Sequence, residues 1–179
     1  MTSINTISNS AEHETIALYA LQMAQEQLGQ SEKPIGSNSG PMVNEYLKSV
    51  GLAPGYAWCQ AFVYWCYAQA ALKQKAANTV IKTGSVMDCW NKTTGIKKIT
   101  KAEAHKNPEI VKPGYQFILS FGINTGHTGI VESIDMSTNV ITIHTIEGNS
   151  NTDGSREGYE VVRHKRTLGD KSLLGFICY

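Results

Sequence analysis

The hydrophobic pattern of the chain changes its period near the middle. Apolar residues recur at helical spacing over 12–28, and this pattern ends at Gly29. A second helix is predicted within 42–52, ended by Gly51, and a longer and more apolar one over 58–73. The stretch 74–112 is polar and irregular, and only short helices are predicted there, at Val86–Trp90 and Lys101–His105. The first half of the chain is therefore expected to be helical.

Beyond residue 112 the apolar positions are rich in β-branched residues and alternate with polar ones, which is typical of strands. The predicted strands are residues 116–121, 127–135, 139–149, 158–166 and 173–179. Helices followed by strands favour an α+β fold over alternating βαβ units. The sequence thus predicts N-terminal helices packed on an antiparallel sheet of about five to six strands. We expect a flexible tail over 1–11 and a single domain over 12–179.

Composition and charge narrow the classes of partner. Hydrophobic residues make up 41% of the 179 residues and charged residues 17%, a balance typical of a globular domain. The net charge is +1, the lysines are scattered, and "HKR" at 164–166 is too short for a basic patch, so we expect solvated surface charges and no nucleic-acid partner. No apolar run approaches the roughly 18 residues of a membrane span. No export signal is visible, so we expect synthesis in the cytoplasm.

Two of the four cysteines lie in the third helix, and their positions differ. The spacing of Cys59, Cys66, Cys89 and Cys178 contains no CxxC pair, which argues against a zinc or redox motif; whether a disulfide forms is left open. Cys59 starts the helix, where unpaired backbone N–H groups favour the reactive thiolate. Cys66 lies mid-helix among apolar residues, which indicates a structural role. Taken alone, a cysteine in such a position is more often a small buried hydrophobic residue than a nucleophile.

One of the five histidines, His127, is a candidate base for that thiol. It opens the strand "HTGIVE", and Gly126 and Gly129 leave room for another group beside its ring. A lone histidine at a strand start is more often structural. His144 projects to the opposite face of its strand from Glu147. The exposed bystanders are expected to be His13, His105 and His164.

The segment "TIEGN" offers a third group. On an extended strand Glu147 and Asn149 point to the same face, and either can orient an imidazole N–H. The alternative is a hairpin turn, because "EGNSN" has good turn composition. A cysteine nucleophile needs a base and usually a group that orients the base, so these residues together favour covalent catalysis.

The segments "YAWCQAFVYWC", "GHTGIVESID" and "TIEGNSN" together resemble the CHAP family of cysteine amidases and peptidases, papain-like enzymes that cut bacterial cell-wall peptides. The segments "GSNSGPMVNEYLKSVGL", "SREG" and "LLGFICY" resemble the same family. The resemblance covers about residues 15–179. It implies a papain-like CHAP fold and a single catalytic domain over 12–179.

The resemblance also implies roles for individual residues. Cys59 would be the nucleophile, His127 the general base, Glu147 the orienting acid and Asn149 a polar neighbour in the site. The backbone N–H of Cys59 would hold the oxyanion, with a second donor among Gln60, Trp58 and Tyr56. Gln60 departs from the small residue that many relatives have after the cysteine. Some relatives bind calcium through an aspartate-rich loop, but 29–41 contains a single acid, Glu32, so no metal is predicted.

Residues beside these positions are candidates for the substrate groove. They are Asn38, Ser39, Tyr56, Trp58, Gln60, Asn124 and Thr125. Loop or core packing is the alternative for each of them, and for Trp58 core packing is an equal alternative.

The function that the resemblance implies is hydrolysis of an amide bond in the murein stem peptide, as an N-acetylmuramoyl-L-alanine amidase or an endopeptidase. We expect a monomer without a cofactor that acts at the cell wall or periplasm after delivery or secretion. It would be a delivered antibacterial effector, which implies a cognate immunity protein, or a phage-type lysin. The alternatives are a papain-like hydrolase of a protein target and an inactive wall-binding module. The bond that is cut and the target bacteria are left open.

Overall fold

The computed structural model describes residues 16–94, 98–151 and 158–179. The predicted tail, residues 1–11, and the predicted helical residues 12–15 lie outside these ranges. Within them, helix α1 is described over 16–26. The other helices are α2 Pro41–Ser49, α3 Cys59–Gln74, α4 Val86–Lys92 and α5 Lys101–Lys106, which is followed by a 3-10 turn at Pro108–Ile110.

The described strands form one antiparallel sheet. They are β1 Lys98–Thr100, β2 Gln116–Gly122, β3 Thr125–Asp135, β4 Thr142–Ser150, β5 Glu160–Thr167 and β6 Leu173–Ile177. Their spatial order is β1-β6-β2-β3-β4-β5. The five strands predicted from the sequence correspond to β2–β6, which confirms an α+β architecture. The polar, irregular stretch also contains β1, which was not predicted because three residues give no measurable alternation.

Alternation along the strands divides the buried side chains between two cores, one on each face of the sheet. Ile118, Ile130 and Ile146 join the helices in the larger core. Phe117 and Val131, one position away on the same strands, belong to a second core that includes Ala104 of α5. The sheet is therefore covered on both faces, and α3 packs against β3 and β4 at its centre.

An aromatic cluster fixes the start of α3. The Tyr46 ring of α2 stacks on Trp58 at a centroid distance of 5.6 Å and meets Phe62 edge-on at 5.4 Å. All three side chains are fully buried. Large aromatic rings in such pairs contribute stability beyond their buried area, so this cluster holds the first turn of α3 against α2. None of the helices in the described ranges is long and apolar enough to cross a membrane.

Candidate active site

Cys59 is the first residue of α3, and Trp58 occupies the N-cap position. The residue is only 7% exposed, but it lies in the wall of an open cleft. The first backbone N–H groups of a helix have no partner within the helix, and they create a positive potential at its start. A negative charge on the sulfur, or on an oxygen held next to it, is stabilised at this position.

Asn149 of β4 anchors the start of this helix. Its Oδ1 accepts from the backbone N–H of Trp58 at 2.8 Å, and its Nδ2 donates to the carbonyl of Gly158 at 2.5 Å. Its φ is 56°, in the left-handed region that asparagine tolerates better than most residues. Asn149 therefore connects β4 to the residue that precedes Cys59.

Gly148 explains why β4 can approach α3 so closely. A Cβ at this position would lie 2.7 Å from Phe62 Cγ and 2.7 Å from Trp58 Cζ3, closer than side chains pack. β4 continues through Ser150, which pairs with Glu160 of β5. The alternative of a hairpin turn at "EGNSN" is therefore wrong.

Glu147 is the group that orients His127. The Nε2 of His127 lies 2.7 Å from Glu147 Oε2, and both residues are buried. Because an ionised carboxylate can only accept, Nε2 carries the proton and donates. Cys59 lines the same cleft and interacts with this ring, and Nδ1 is the ring nitrogen that Glu147 leaves available to the sulfur. The three side chains thus form a chain from sulfur to imidazole to carboxylate.

Asn149 does not share this contact. The prediction that Glu147 and Asn149 lie on one face assumed an extended strand, and the left-handed conformation of Asn149 breaks that alternation. The structure brings both residues to the site with different partners: Glu147 bonds His127, and Asn149 bonds the backbone of Trp58.

The electrostatics of the site favour a protonated His127. Burial by itself would lower the pKa of His127, but hydrogen bonds to Cys59 and Glu147, and the charges of these groups, raise it to about 9. Burial would raise the pKa of Glu147, but the hydrogen bonds from Arg166 and His127 and their positive charges hold it well below its usual range. An imidazolium paired with an ionised Glu147 is the state that this geometry stabilises at neutral pH.

Arg166 of β5 is the member of the site that the sequence did not reveal. Its Nε donates to Glu147 Oε1 at 2.7 Å, and its terminal Nη2 donates to Oε2 at 2.5 Å. Only 20% of its side chain is exposed, and none of that of Glu147. The expectation that "HKR" consists of solvated surface charges is wrong for Arg166. The pairing of β4 with β5 places Arg166 opposite Ile143, four residues before Glu147, and the long Arg166 side chain reaches along the strands to the carboxylate.

The cleft has a volume of about 610 Å³ and opens onto Cys59 and His127. Four of the predicted groove residues line it: Asn38, Tyr56, Asn124 and Thr125. Residues 83–86 and Glu32, which were not proposed as groove residues, line it as well. Peptide-sized substrates fit a cleft of this size.

The prediction that Trp58 and Gln60 bind substrate is wrong. Trp58 is fully buried, stacks on Tyr46 and donates its indole N–H to Glu32 at 2.9 Å, so core packing is the correct interpretation. Gln60 is also fully buried and accepts from Gln116 at 2.7 Å. Neither side chain reaches the cleft, and neither can be the second oxyanion donor.

Ser39 is also outside the cleft wall, and its hydroxyl donates to Asn44 at 3.0 Å. Of the three oxyanion candidates proposed from the sequence, Tyr56 is the one that lines the cleft, with 57% of its surface exposed.

The remaining cysteine and histidine predictions concern residues around this site. Cys66 is fully buried, and burial raises the pKa of its thiol well above the usual value, as expected for a structural cysteine. His105 is exposed, but His164 is half-buried, which corrects its prediction as an exposed bystander. His13 lies outside the described residues. Within the described ranges, no group of three or more His, Cys, Asp or Glu side chains could bind a metal ion.

A helix-borne cysteine next to a strand-borne histidine and carboxylate, on an α+β fold with an antiparallel sheet, is the arrangement typical of the papain-like fold. A comparison with protein families matches the CHAP domain over residues 51–149, more than half of the chain. The chain therefore belongs to the CHAP domain family. CHAP domains are typically hydrolases of the amidase and peptidase type that act on peptidoglycan. Searches of curated proteins and of solved structures found no match to this chain.

The anchoring role of Asn149 can be tested by substitution. Asn149→Ala removes the acceptor for the Trp58 N–H and leaves that group unpaired, so we expect a loss of about 1–3 kcal/mol in the free energy of unfolding. We also expect any turnover that depends on Cys59 to fall about tenfold in kcat, because a displaced Cys59 loses its alignment with a substrate in the cleft. Chemical denaturation and initial rates measure the two effects. Asn149→Gly is the matched control, since glycine tolerates the positive φ; wild-type kcat in both variants would show that Asn149 does not position Cys59.

Proposed function

We propose that this CHAP domain hydrolyses an amide bond of the murein stem peptide, as an N-acetylmuramoyl-L-alanine amidase or an endopeptidase, with Cys59 as the nucleophile. The observation that carries the proposal is the contact chain from Cys59 through His127 and Glu147 to Arg166, which opens on a cleft at the start of α3. Each link has a chemical use in acyl transfer. Membership of the CHAP family supplies the class of substrate.

The first half of the reaction forms an acyl-enzyme. The Cys59 thiolate attacks the carbonyl carbon of the scissile amide, a C–S bond forms, and the carbonyl electrons move onto oxygen. The backbone N–H of Cys59 at the helix start stabilises this oxyanion. Collapse of the tetrahedral intermediate breaks the C–N bond, and His127 gives its Nδ1 proton to the leaving amine.

The second half releases the product. His127, now neutral, removes a proton from a water molecule that attacks the thioester carbon. The C–S bond breaks, the carboxylic acid leaves, and the thiolate and imidazolium are restored. Throughout, Glu147 accepts from Nε2, which fixes the ring and its tautomer, and Arg166 keeps Glu147 ionised.

The raised pKa of His127 predicts how activity depends on pH. Because the imidazolium must donate a proton to the leaving amine, kcat/KM should fall as the pH rises through about 9, and not near the usual value of about 6.5. The free energy of unfolding should depend on pH in the same direction. The raised pKa of His127 in the folded state contributes stability that is present below about pH 6.5 and is lost as the pH rises through about 9.

A pH–rate profile on a soluble stem peptide measures this effect, and an NMR titration of His127 assigns it. Cys59→Ala removes one of the two groups whose interactions raise the pKa of His127, so this pKa should be lower than in the wild type. A basic limb of the profile near pH 6.5 would contradict the assignment of His127 as the acid.

The proposed reaction is tested on purified sacculi. The wild-type protein should release soluble muropeptides and new amino groups in proportion to enzyme concentration, and iodoacetamide should stop the release while adding one carbamidomethyl group at Cys59. Buried Cys66 is the internal control for labelling. Release that continues after complete alkylation of Cys59 would refute the proposed nucleophile.

The proposed biological setting follows from the substrate. Murein lies outside the cytoplasmic membrane, so the protein would act at the cell wall or periplasm after delivery or secretion, as an antibacterial effector or a phage-type lysin, and as a monomer. An effector requires a cognate immunity protein that blocks the cleft in the producing cell. A gene for such a protein beside this one would favour the effector, and a neighbouring holin gene would favour the lysin.

A further inference from the structure

Glu32 is a buried acid in the wall of the cleft, and the proposed reaction does not use it. Glu32 is only 2% exposed, yet it contributes to the same cleft surface as Cys59 and His127. It lies on the segment between α1 and α2, and the β-bridge between Ser31 and Glu160 ties that segment to the sheet. A carboxylate is costly to bury unless it is compensated, so its position requires an explanation.

The two hydrogen bonds of Glu32 come from neutral donors. Oε1 accepts from the indole N–H of Trp58 at 2.9 Å, and Oε2 accepts from the backbone N–H of Asn38 at 3.0 Å. The ion pairs found among the described residues do not include Glu32. Each carboxylate oxygen can accept a second hydrogen bond. The carboxylate is thus fixed in position by its neighbours and has acceptor capacity and negative charge to spare.

In the described lining of the cleft, the carboxylate of Glu32 has no Lys or Arg partner. Among the described residues that line the cleft, Glu32 is the only carboxylate, and none is Lys or Arg. Asn38 and Tyr56 line the same cleft and have oxygens that can accept further hydrogen bonds. Among the described lining residues, a cation that enters the cleft therefore meets one fixed carboxylate and neutral acceptors, and the cationic group there is the imidazolium of His127. His127 lies next to Cys59 and is already engaged by Glu147.

We propose that Glu32 forms a subsite for a primary ammonium group of the substrate. The inference rests on the proposed murein hydrolysis and names the feature of the stem peptide that the cleft selects. A stem peptide has a diamino acid whose side-chain amine is free unless it is cross-linked, and an ammonium has three donors for oxygens of this kind. The subsite would direct the enzyme to stems with a free amine and against cross-linked stems.

The experiment compares two forms of one peptide. A reduced monomeric muropeptide with its free side-chain amine, and the same muropeptide acetylated at that amine, are offered to the wild type, Glu32→Gln, Glu32→Asp and Glu26→Gln. Glu26 is an exposed acid of α1 outside the cleft, so Glu26→Gln is the control with the same change in net charge. The readout is the ratio of kcat/KM for the free amine to kcat/KM for the acetylated form.

We expect the wild type and Glu26→Gln to prefer the free amine by about tenfold or more, as for a charge-assisted hydrogen bond. Glu32→Gln should bring this ratio close to one, and Glu32→Asp should keep part of it. If Glu32 only supports Trp58 and Asn38, its replacement lowers both rates together and leaves the ratio unchanged. A ratio near one in the wild type, or an unchanged ratio in Glu32→Gln, would overturn the subsite.

Binding separates this inference from the proposed reaction. Calorimetry with Cys59→Ala measures the affinity for the two muropeptides without turnover, and with Cys59→Ala/Glu32→Gln it measures the same without the carboxylate. Tighter binding of the free amine that disappears with Glu32 supports the subsite even if the wild type cleaves neither peptide, in which case the proposed reaction fails. Equal binding of the two peptides to Cys59→Ala would overturn the subsite even if the wild type cleaves both.

Discussion

Cys59→Ala should abolish amide hydrolysis by this protein and leave it folded. In the proposed mechanism Cys59 supplies the electron pair that forms the acyl-enzyme, and loss of such a nucleophile lowers kcat by about 10⁴-fold or more in enzymes of this type. The change removes one sulfur atom at a site with open space beside it, so the free energy of unfolding should change by only about 1 kcal/mol. Initial rates of amine release from sacculi and a thermal unfolding curve measure the two effects.

Cys66→Ala is the matched control for this experiment. Cys66 lies two turns further along α3 and is fully buried in the larger core. Its replacement should leave kcat near the wild-type value while lowering stability by about 1–2 kcal/mol, because it leaves a small cavity in a packed core. The opposite pattern, with activity lost in Cys66→Ala and kept in Cys59→Ala, would exclude Cys59 as the nucleophile.

Arg166→Met should destabilise the protein more than Cys59→Ala, Cys66→Ala or Asn149→Ala. It removes the cation that makes two hydrogen bonds to Glu147 and leaves a fully buried carboxylate with less compensation. Breaking a buried ion pair from one side costs about 3–5 kcal/mol. For a domain of this size, that corresponds to a fall in Tm of about 6–20 °C. The pKa of Glu147 should rise, and kcat should fall because a less ionised Glu147 holds the imidazolium less firmly.

Arg163→Met is the control on the same strand. Arg163 pairs with Glu132 at 2.9 Å, but 56% of its side chain is exposed, and surface pairs of this kind contribute less than about 1 kcal/mol. Chemical denaturation of both variants gives the comparison, and rates on a soluble stem peptide give the effect on kcat. Equal stability of the two variants would show that the Arg166–Glu147 pair is not a structural element of the site.

The helices and strands, and three residues of the candidate site, could be predicted because the sequence around each of them is enough to identify it. The change from helical to alternating spacing separates α1–α3 from β2–β6. Cys59 was identified because the predicted helix begins there, and His127 and Glu147 were identified because each lies on a predicted strand in a segment that resembles the CHAP family. These inferences need only periodicity, helix start signals and recognisable segments.

The role of Arg166 could not be predicted because it depends on the register of two strands. In the sequence it is one of several charged residues in a row, and only the pairing of β4 with β5 brings it near Glu147. The contact of Asn149 with the backbone of Trp58 could not be predicted because the left-handed backbone of Asn149 is not encoded in a period of two. In both cases, the decisive information is three-dimensional.

The errors at Trp58 and Gln60 have a different cause. The first turns of α3 are buried on nearly every side, from Cys59 to Val63. An all-round apolar helix has no polar face to show which side chains point to the cleft, so neighbours of the nucleophile were assigned to the groove by proximity alone. The packing of Trp58 on Tyr46 and the hydrogen bond between Gln60 and Gln116 show that both side chains belong to the core and not to the cleft.

The most direct test of the account is mass spectrometry of muropeptides after incubation of the purified protein with Gram-negative and Gram-positive sacculi, with Cys59→Ala as the control. The account predicts new amino and carboxyl termini at one stem-peptide amide, formed by the wild type and absent with Cys59→Ala; their position identifies the protein as an amidase or an endopeptidase. Intact muropeptides in both digests, from wild-type protein shown to be folded, would contradict murein hydrolysis. Identical products from the two proteins would contradict the role of Cys59.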